Sequence, residues 1–195
     1  VTSEVRKSIL RSHPSLFRAL SADVRVTLDY RGEASGYATR LRTLGSFVRL
    51  LWVTDAFFGQ VCYRVKARLQ RFHVPLLPRI IHHLAMRTAQ ICIGDPVVIE
   101  PGIYIAHGQV VIDGFSRVSS GVVLFPWVTI GLRAGDFAGP TIGEGAQIGT
   151  GAKIIGPVTV GAHSSVGANA VVVSDVAPHT TVVGIPAKVV GSDPA

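Results

Sequence analysis

The chain has 195 residues, a formal net charge of +7, 48% hydrophobic but only 7% aromatic residues, and 21 glycines. That length allows one domain, or one domain with a helical attachment, and buries a real core without covalent staples. Two cysteines, Cys62 and Cys92, form no disulfide framework and no zinc pattern, so a reduced, cytoplasmic setting is expected.

Near the N-terminus, Arg6, Lys7, Arg11 and Arg18 break up any apolar run of the kind a secretory signal needs, so none is expected. Ser15 to Asp29 presents Leu16, Leu20, Val24 and Leu28 at spacings of four behind Pro14, which predicts a helix. A loop from Arg31 to Ser35, with Gly32, should end it. A longer helical segment follows over Arg40 to Arg71, and a shorter one over Leu76 to Ala89 behind Pro75 and Pro78, giving three helices. The apolar stretch Leu44 to Tyr63 contains Arg49 and Asp55, too costly for a lipid-spanning helix, so no membrane insertion is expected.

Charge and glycine change together near residue 90. Residues 1–90 hold 15 basic and 5 acidic groups, residues 91–195 hold 4 and 7, and 17 of the 21 glycines follow residue 90. Residues 1–90 therefore read as a helical region and residues 91–195 as a second unit. The basic residues of the first part, Arg18, Arg25, Arg49, Arg64 and Arg68 among them, alternate with apolar ones and read as the solvated faces of amphipathic helices. No basic run, stacking aromatic set or helix-turn-helix spacing accompanies them, so no nucleic-acid partner is expected.

From Ile93 a small aliphatic residue returns every six positions: Ile93, Ile99, Ile105, then, after one extra residue, Ile112, Val118, Leu124 and Ile130. It resumes as Ile142, Ile148, Ile154, Val160, Val166 and Val172. Neither a helical period nor strict alternation accounts for this. The pattern predicts a mainly β fold, a parallel β-helix of hexapeptide type, in which three short strands make a coil and stacked coils bury one aliphatic column.

Two interruptions mark candidate functional positions. The extra residue falls at Ala106-His107-Gly108-Gln109. Between Leu132 and Thr141 the frame would put Asp136 inside, an unpaired buried carboxylate, so residues 131–141 are expected to leave the solenoid as a loop. Solenoids place function on such insertions. An imidazole titrates near neutral pH, so His107, fixed at an irregular corner, suits a general base for a hydroxyl, although a plain corner histidine fits the sequence as well. His82 and His83 fall in a helix, His73 by a turn, His163 and His179 in corners. No three of them share the frame as metal ligands would, and no metal is expected.

The run from Pro140 through Ile142-Gly143-Glu144-Gly145-Ala146-Gln147-Ile148-Gly149 to Val183-Gly184-Ile185-Pro186-Ala187-Lys188 resembles the hexapeptide acyltransferases of the serine acetyltransferase family, in particular their short, colanic-acid-acetyltransferase-like members. The N-terminal part matches only through Ala22-Asp23-Val24, Asp29 and Tyr63-Arg64. The resemblance implies left-handed coils and acetyl transfer from acetyl-CoA to a hydroxyl, with clefts between subunits of a homotrimer or dimer of trimers. It implies His107 as the base, CoA along Gly131, Gly151, Ala152 and Ala168, and Lys188 at a CoA phosphate.

The departures from that family bear on the acceptor. A carboxylate that orients the family's histidine is Cys92 here, with Asp113 and Asp95 as candidate substitutes. The family's aspartate before the histidine is Ala106, and Phe137-Ala138-Gly139 replaces a basic pair in the loop. Trp127 reads either as a subunit-contact aromatic or, with Phe137, as the wall of an apolar acceptor pocket. Serine, a sugar hydroxyl and a specialised metabolite all remain open as acceptors. A non-catalytic trimeric scaffold is the alternative from another class.

Overall fold

The computed structural model describes residues 3–33 and 39–192. The expected loop beyond Glu33, including Ser35, lies outside them. Five helices come first: α1 (Ser3–Ser12), α2 (Leu16–Tyr30), α3 (Arg40–Val53), α4 (Asp55–Arg71) and α5 (Leu77–Thr88). The sequence reading has three. α1 is additional, and the segment expected over Arg40 to Arg71 is two helices. Thr54 divides them: its backbone is extended, at φ −129° and ψ 111°, and its hydroxyl donates to the Leu50 carbonyl at 2.6 Å. A threonine that bonds to nearby backbone competes with helix propagation, which periodicity alone does not register. Asp55 then opens α4 with a negative charge at the helix N-terminus.

Fifteen short strands follow. β1 (Ile91–Ile93), β4 (Val110–Ile112), β7 (Thr129–Gly131), β10 (Lys153–Ile155) and β13 (Val171–Val172) make the first sheet, and β2 (Val98–Ile99), β5 (Arg117–Val118), β8 (Thr141–Ile142) and β11 (Thr159–Val160) the second. The third holds β3 (Tyr104–Ile105), β6 (Val123–Leu124), β9 (Gln147–Ile148), β12 (Ser165–Val166), β14 (Thr180–Val183) and β15 (Lys188–Ser192). From β1 to β13 each strand pairs in parallel with the one three places away; β12 pairs in parallel with β14, and β15 folds back antiparallel on β14. The result is a parallel three-sided solenoid of about five coils.

All thirteen aliphatics of the six-residue frame point inward, and none exceeds 3% exposure. A second inward column stands two residues ahead of each, including Val97, Ile103, Val122, Ala146, Ala152 and Ala170. Small residues dominate its later coils because two side chains per face must share the interior. Ser116 and Ser164 also lie in it, and their hydroxyls are satisfied by the Asp113 and Gly161 carbonyls at 2.6 and 2.7 Å.

The helices close the open end of this column. α4 lies across the first coil: Ala56 and Tyr63 join the aliphatic core, and Gly59 lies so close to Ala89 and Ile91 that a Cβ would come within 2.8 Å of each. Polar side chains of α4 bind first-coil carbonyls, Gln60 to Ile103 at 3.3 Å, Tyr63 to Val97 at 2.9 Å and Lys66 to Ile93 at 2.6 Å. Arg64 donates to the carbonyls of Ile99 and Glu100 and pairs with Asp23 of α2, whose carboxylate also accepts from the amides of Gly102 and Ile103. Arg64 is thus buried, at 4% exposure, and does not belong to a solvated helical face as the interleaved arginines suggested; Lys66, at 2%, is buried beside it. A cation that satisfies the bare carbonyls of a solenoid end has the same spacing in sequence as one facing water.

Candidate active site

The residue inserted after Ile105 is absorbed at the edge where the third sheet turns into the first. His107, Gly108 and Gln109 all adopt positive φ, at 62°, 83° and 56°. Two of the three carry side chains in a region that costs roughly 1–2 kcal/mol per L residue, so the surroundings must hold them there. They do: Gln109 N–H donates to the Ala89 carbonyl at 3.1 Å, and Trp127 N–H donates to Gln109 at 2.8 Å. Gly108 packs so closely that a Cβ would overlap the Ala89 carbonyl oxygen, so only glycine fits between this corner and the end of α5. Ala106 is buried and His107 stands exposed at the apex. Among the described residues the imidazole has no hydrogen-bond or ion-pair partner.

The same edge continues down the solenoid. Trp127 is itself left-handed, at φ 66°, with its indole 58% exposed. Gly151 N–H donates to the Pro126 carbonyl and Asn169 N–H to Thr150, both at 2.8 Å, which stacks the corner of Gly151 and then that of Ala168 below Trp127. Gly151 has φ 74°, and a Cβ there would overlap the Asn169 side chain. Lys153, which the sequence reading passed over, ties two of these corners together. Its ammonium donates to the carbonyls of Trp127 at 2.7 Å and Gly151 at 2.9 Å. From His107 to Ala168 the strip runs three coil steps, about 14 Å at about 4.8 Å per strand. Lys188 is exposed where β15 begins, after the turn whose Ala187 N–H donates to Val171.

Other expected site residues lie elsewhere. The Ala152 side chain is wholly buried, so only its main chain borders this strip. Gly131 ends β7 at the opposite edge, where its carbonyl accepts from Gly156. Residues 132–140 leave the solenoid at that edge. Asp136 is exposed there, accepting from Ala138 N–H at 2.8 Å, and Phe137 is 71% exposed. Trp127 and Phe137 therefore stand at opposite ends of β7, and this chain does not bring them together.

Neither candidate carboxylate reaches His107. Asp95 and Asp113 follow β1 and β4, on the far side of these strands from His107. Asp95 pairs with Lys66 at 3.0 Å, and Asp113 binds Gly114 N–H at 2.8 Å. Burial works to raise the Asp95 carboxyl, but Lys66 and Gln70 outweigh it and hold it below its ordinary value. For Cys92, burial and then the Asp113 carboxylate push the thiol up, against a smaller opposing effect of Lys66. The thiol stays neutral near pH 7 and brings no charge to replace the carboxylate. These three line a groove of about 680 Å³ between β1, the end of α4 and the connection to α5.

An aromatic contact near the histidine carried no signal in the sequence. Tyr30, at the end of α2, stacks on Tyr104 of β3 with centroids 4.7 Å apart and planes 2° from parallel. Burial, then the Tyr104 neighbour, raises the Tyr30 hydroxyl above its ordinary value. Which helix end would cover the third sheet is a tertiary fact without periodicity. Among the described residues, no three His, Cys, Asp or Glu side chains lie close enough to hold a metal ion.

Residues 139–174 match the family model for bacterial transferase hexapeptide (six repeats). The chain is 30% identical over 179 residues to a serine acetyltransferase of Synechococcus elongatus, covering 90% of this chain and 69% of that protein. It is 33% identical over 181 residues to a serine acetyltransferase of Bacillus pumilus, covering 89% of this chain and 77% of that one. Among solved structures, soybean serine acetyltransferase complexed with serine superposes with a TM-score of 0.77 at 29% identity, covering 94% of this chain and 72% of that one.

Proposed function

The chain belongs to the serine acetyltransferase family, and on that premise we propose that it moves an acetyl group from acetyl-CoA to an acceptor hydroxyl with His107 as general base. The observation that carries this reading is the built corner. An otherwise regular solenoid accepts an extra residue, holds it in left-handed geometry, and thereby exposes an unpartnered imidazole at the head of a strip of small residues. With its proton on the other ring nitrogen, the imidazole accepts the acceptor's hydroxyl proton as that oxygen attacks the thioester carbonyl. The thiolate leaves as CoA, and the proton returns to it. No covalent enzyme intermediate is needed, and positioning plus base catalysis supply the rate.

The strip of Trp127, Gly151 and Ala168 offers the pantetheine arm a surface with few projecting side chains below His107. Backbone from Ala152 borders it, and Lys188 stands exposed beyond it for a phosphate. Gly131, at the opposite edge, belongs with the acceptor side of the loop. A homotrimer, or a dimer of such trimers, unites the parts that one chain keeps apart: the 132–140 loop of one protomer laid against the His107 edge of the next would put Phe137 over Trp127. That pocket is apolar, and Ala106 gives no charge to an amino group, so the acceptor is a larger or less charged hydroxyl compound than serine, such as a sugar or a specialised metabolite. L-serine is retained as the second reading because the similar soybean serine acetyltransferase is complexed with serine.

CoA-thiol release from acetyl-CoA, followed with L-serine, homoserine and a panel of sugars, tests the proposal. His107→Ala should lower turnover by about 10²–10⁴ with the unfolding midpoint unchanged. Lys188→Ala should raise the KM for acetyl-CoA and spare kcat. Normal turnover in His107→Ala removes the base from the mechanism. Tight acetyl-CoA binding with no turnover on any acceptor favours the scaffold reading.

A further inference from the structure

Among the described residues five helices cap the solenoid. α4 closes the column and α2 anchors it, whereas α3 packs inward through Ser46 and Leu50 and leaves its other side uncovered. On that side Leu41 is 80% exposed, Leu44 60%, Val48 59% and Trp52 92%. Their spacings of three, four and four put them within an arc of about 80° of the helix. Arg40 flanks the arc on one side and Arg42 on the other, and α3 contains no acidic residue. A groove of about 680 Å³ runs beside it, between α3 and α2, rimmed by Arg25 and Arg40 and floored by Leu20, Val24 and Phe47.

We propose that this face of α3, with the groove beside it, docks the enzyme on an anionic lipid bilayer. The charge pattern selects that occupant. A second copy placed on this face through a two-fold axis would set Arg25, Arg40 and Arg42 against their own kind, with no carboxylate of α3 to answer them. Among the described residues, Arg49 is the arginine of α3 that is paired, to Glu33. A bilayer satisfies both features at once: the apolar arc enters the acyl boundary while the flanking guanidiniums reach lipid phosphates on their aliphatic stems. Trp52 at the rim is the residue type favoured at that depth. The mode is peripheral, because no helix among the described residues is long and apolar enough to cross a membrane.

The test is co-sedimentation with vesicles of equal phosphatidylglycerol and phosphatidylcholine, beside pure phosphatidylcholine, at low and high salt. The full chain should bind the anionic vesicles, bind the neutral ones far less, and release at high salt. Arg40→Gln with Arg42→Gln should weaken partition roughly 30-fold, taking about 1 kcal/mol for each basic residue at an anionic surface. Val48→Glu with Trp52→Glu should abolish it. Brominated lipid should quench the tryptophan emission, and Trp52→Phe should remove that quenching. All these positions are exposed, so the variants keep their fold and their turnover on a soluble acceptor. Vesicle binding needs no turnover, so its outcome is independent of whether the transfer reaction is correctly assigned. Failure to bind, equal binding to neutral vesicles, or an assembly mass in light scattering that falls in Val48→Glu/Trp52→Glu without vesicle binding would each overturn the proposal, the last assigning the face to a second copy.

Discussion

Removing the carboxylate of Asp23 should detach the helical cap from the first coil. The group is 1% exposed and receives four hydrogen bonds, from Arg64 Nε at 2.9 Å and Nη2 at 3.2 Å, and from the amides of Gly102 at 2.8 Å and Ile103 at 3.3 Å. Asp23→Ala leaves a buried guanidinium answered only by the Ile99 and Glu100 carbonyls, and breaking a buried pair in this way costs about 3–5 kcal/mol. With a urea slope of about 2 kcal/mol/M, the unfolding midpoint followed by circular dichroism at fixed protein concentration should fall by about 2 M. Asp23→Leu combined with Arg64→Met replaces both charges by apolar groups and should recover part of that loss. Recovery stays incomplete because the amides of Gly102 and Ile103 lose their acceptor. A midpoint drop below about 0.5 M in Asp23→Ala would refute the buried pair as the clasp between the helices and the solenoid.

Acid sensitivity should trace in part to His13. Burial, followed by the charges of Arg64, Lys66 and Arg71, lowers it from 6.5 to about 4 in the folded chain. The unfolded chain therefore takes up this proton at higher pH than the folded one, so the stability it contributes is complete above about 6.5 and is lost as pH falls toward about 4, by at most about 3 kcal/mol. His13→Phe should flatten the stability profile across that window, measured by urea midpoints at each pH, and an unchanged slope would assign the titration elsewhere. Cys92→Asp tests the departure on β1, where the resemblance calls for a carboxylate. If a carboxylate on β1 orients the imidazole, kcat should rise by about tenfold or more, and an unchanged rate would mean that His107 is positioned by its corner alone.

The repeat was legible because each coil must satisfy the same packing condition. Six residues per face put one aliphatic at the same depth every time, and thirteen positions in register leave few other folds that bury them all. The two breaks were legible for the same reason: an extra residue has to leave the frame, and Asp136 cannot occupy the column. The helical end was less legible. Thr54 splits a continuous apolar pattern through one hydroxyl bond, and Arg64 and Lys66 alternate with apolar residues just as solvated cations do. What distinguishes them is the row of carbonyls on the first coil of a solenoid, which lies 27 to 36 residues away in the chain.

The candidate site divides in the same way. His107, Gly151 and Ala168 share an edge because the repeat stacks every third corner, so their alignment follows from counting sixes. Phe137 and Gly131 are removed to the other end of β7 by that same count, and Cys92, Asp95 and Asp113 belong to the groove beyond β1 and β4. A regular solenoid can present a histidine and a smooth strip along one edge, but it has no means of folding its opposite edge over them. Under the proposed trimer, closure of the site would come from parts that do not follow the repeat, the extruded loop of a neighbouring protomer or the helical cap. The cap already reaches toward this edge through the Tyr30–Tyr104 stack on β3, two residues before His107's own corner begins.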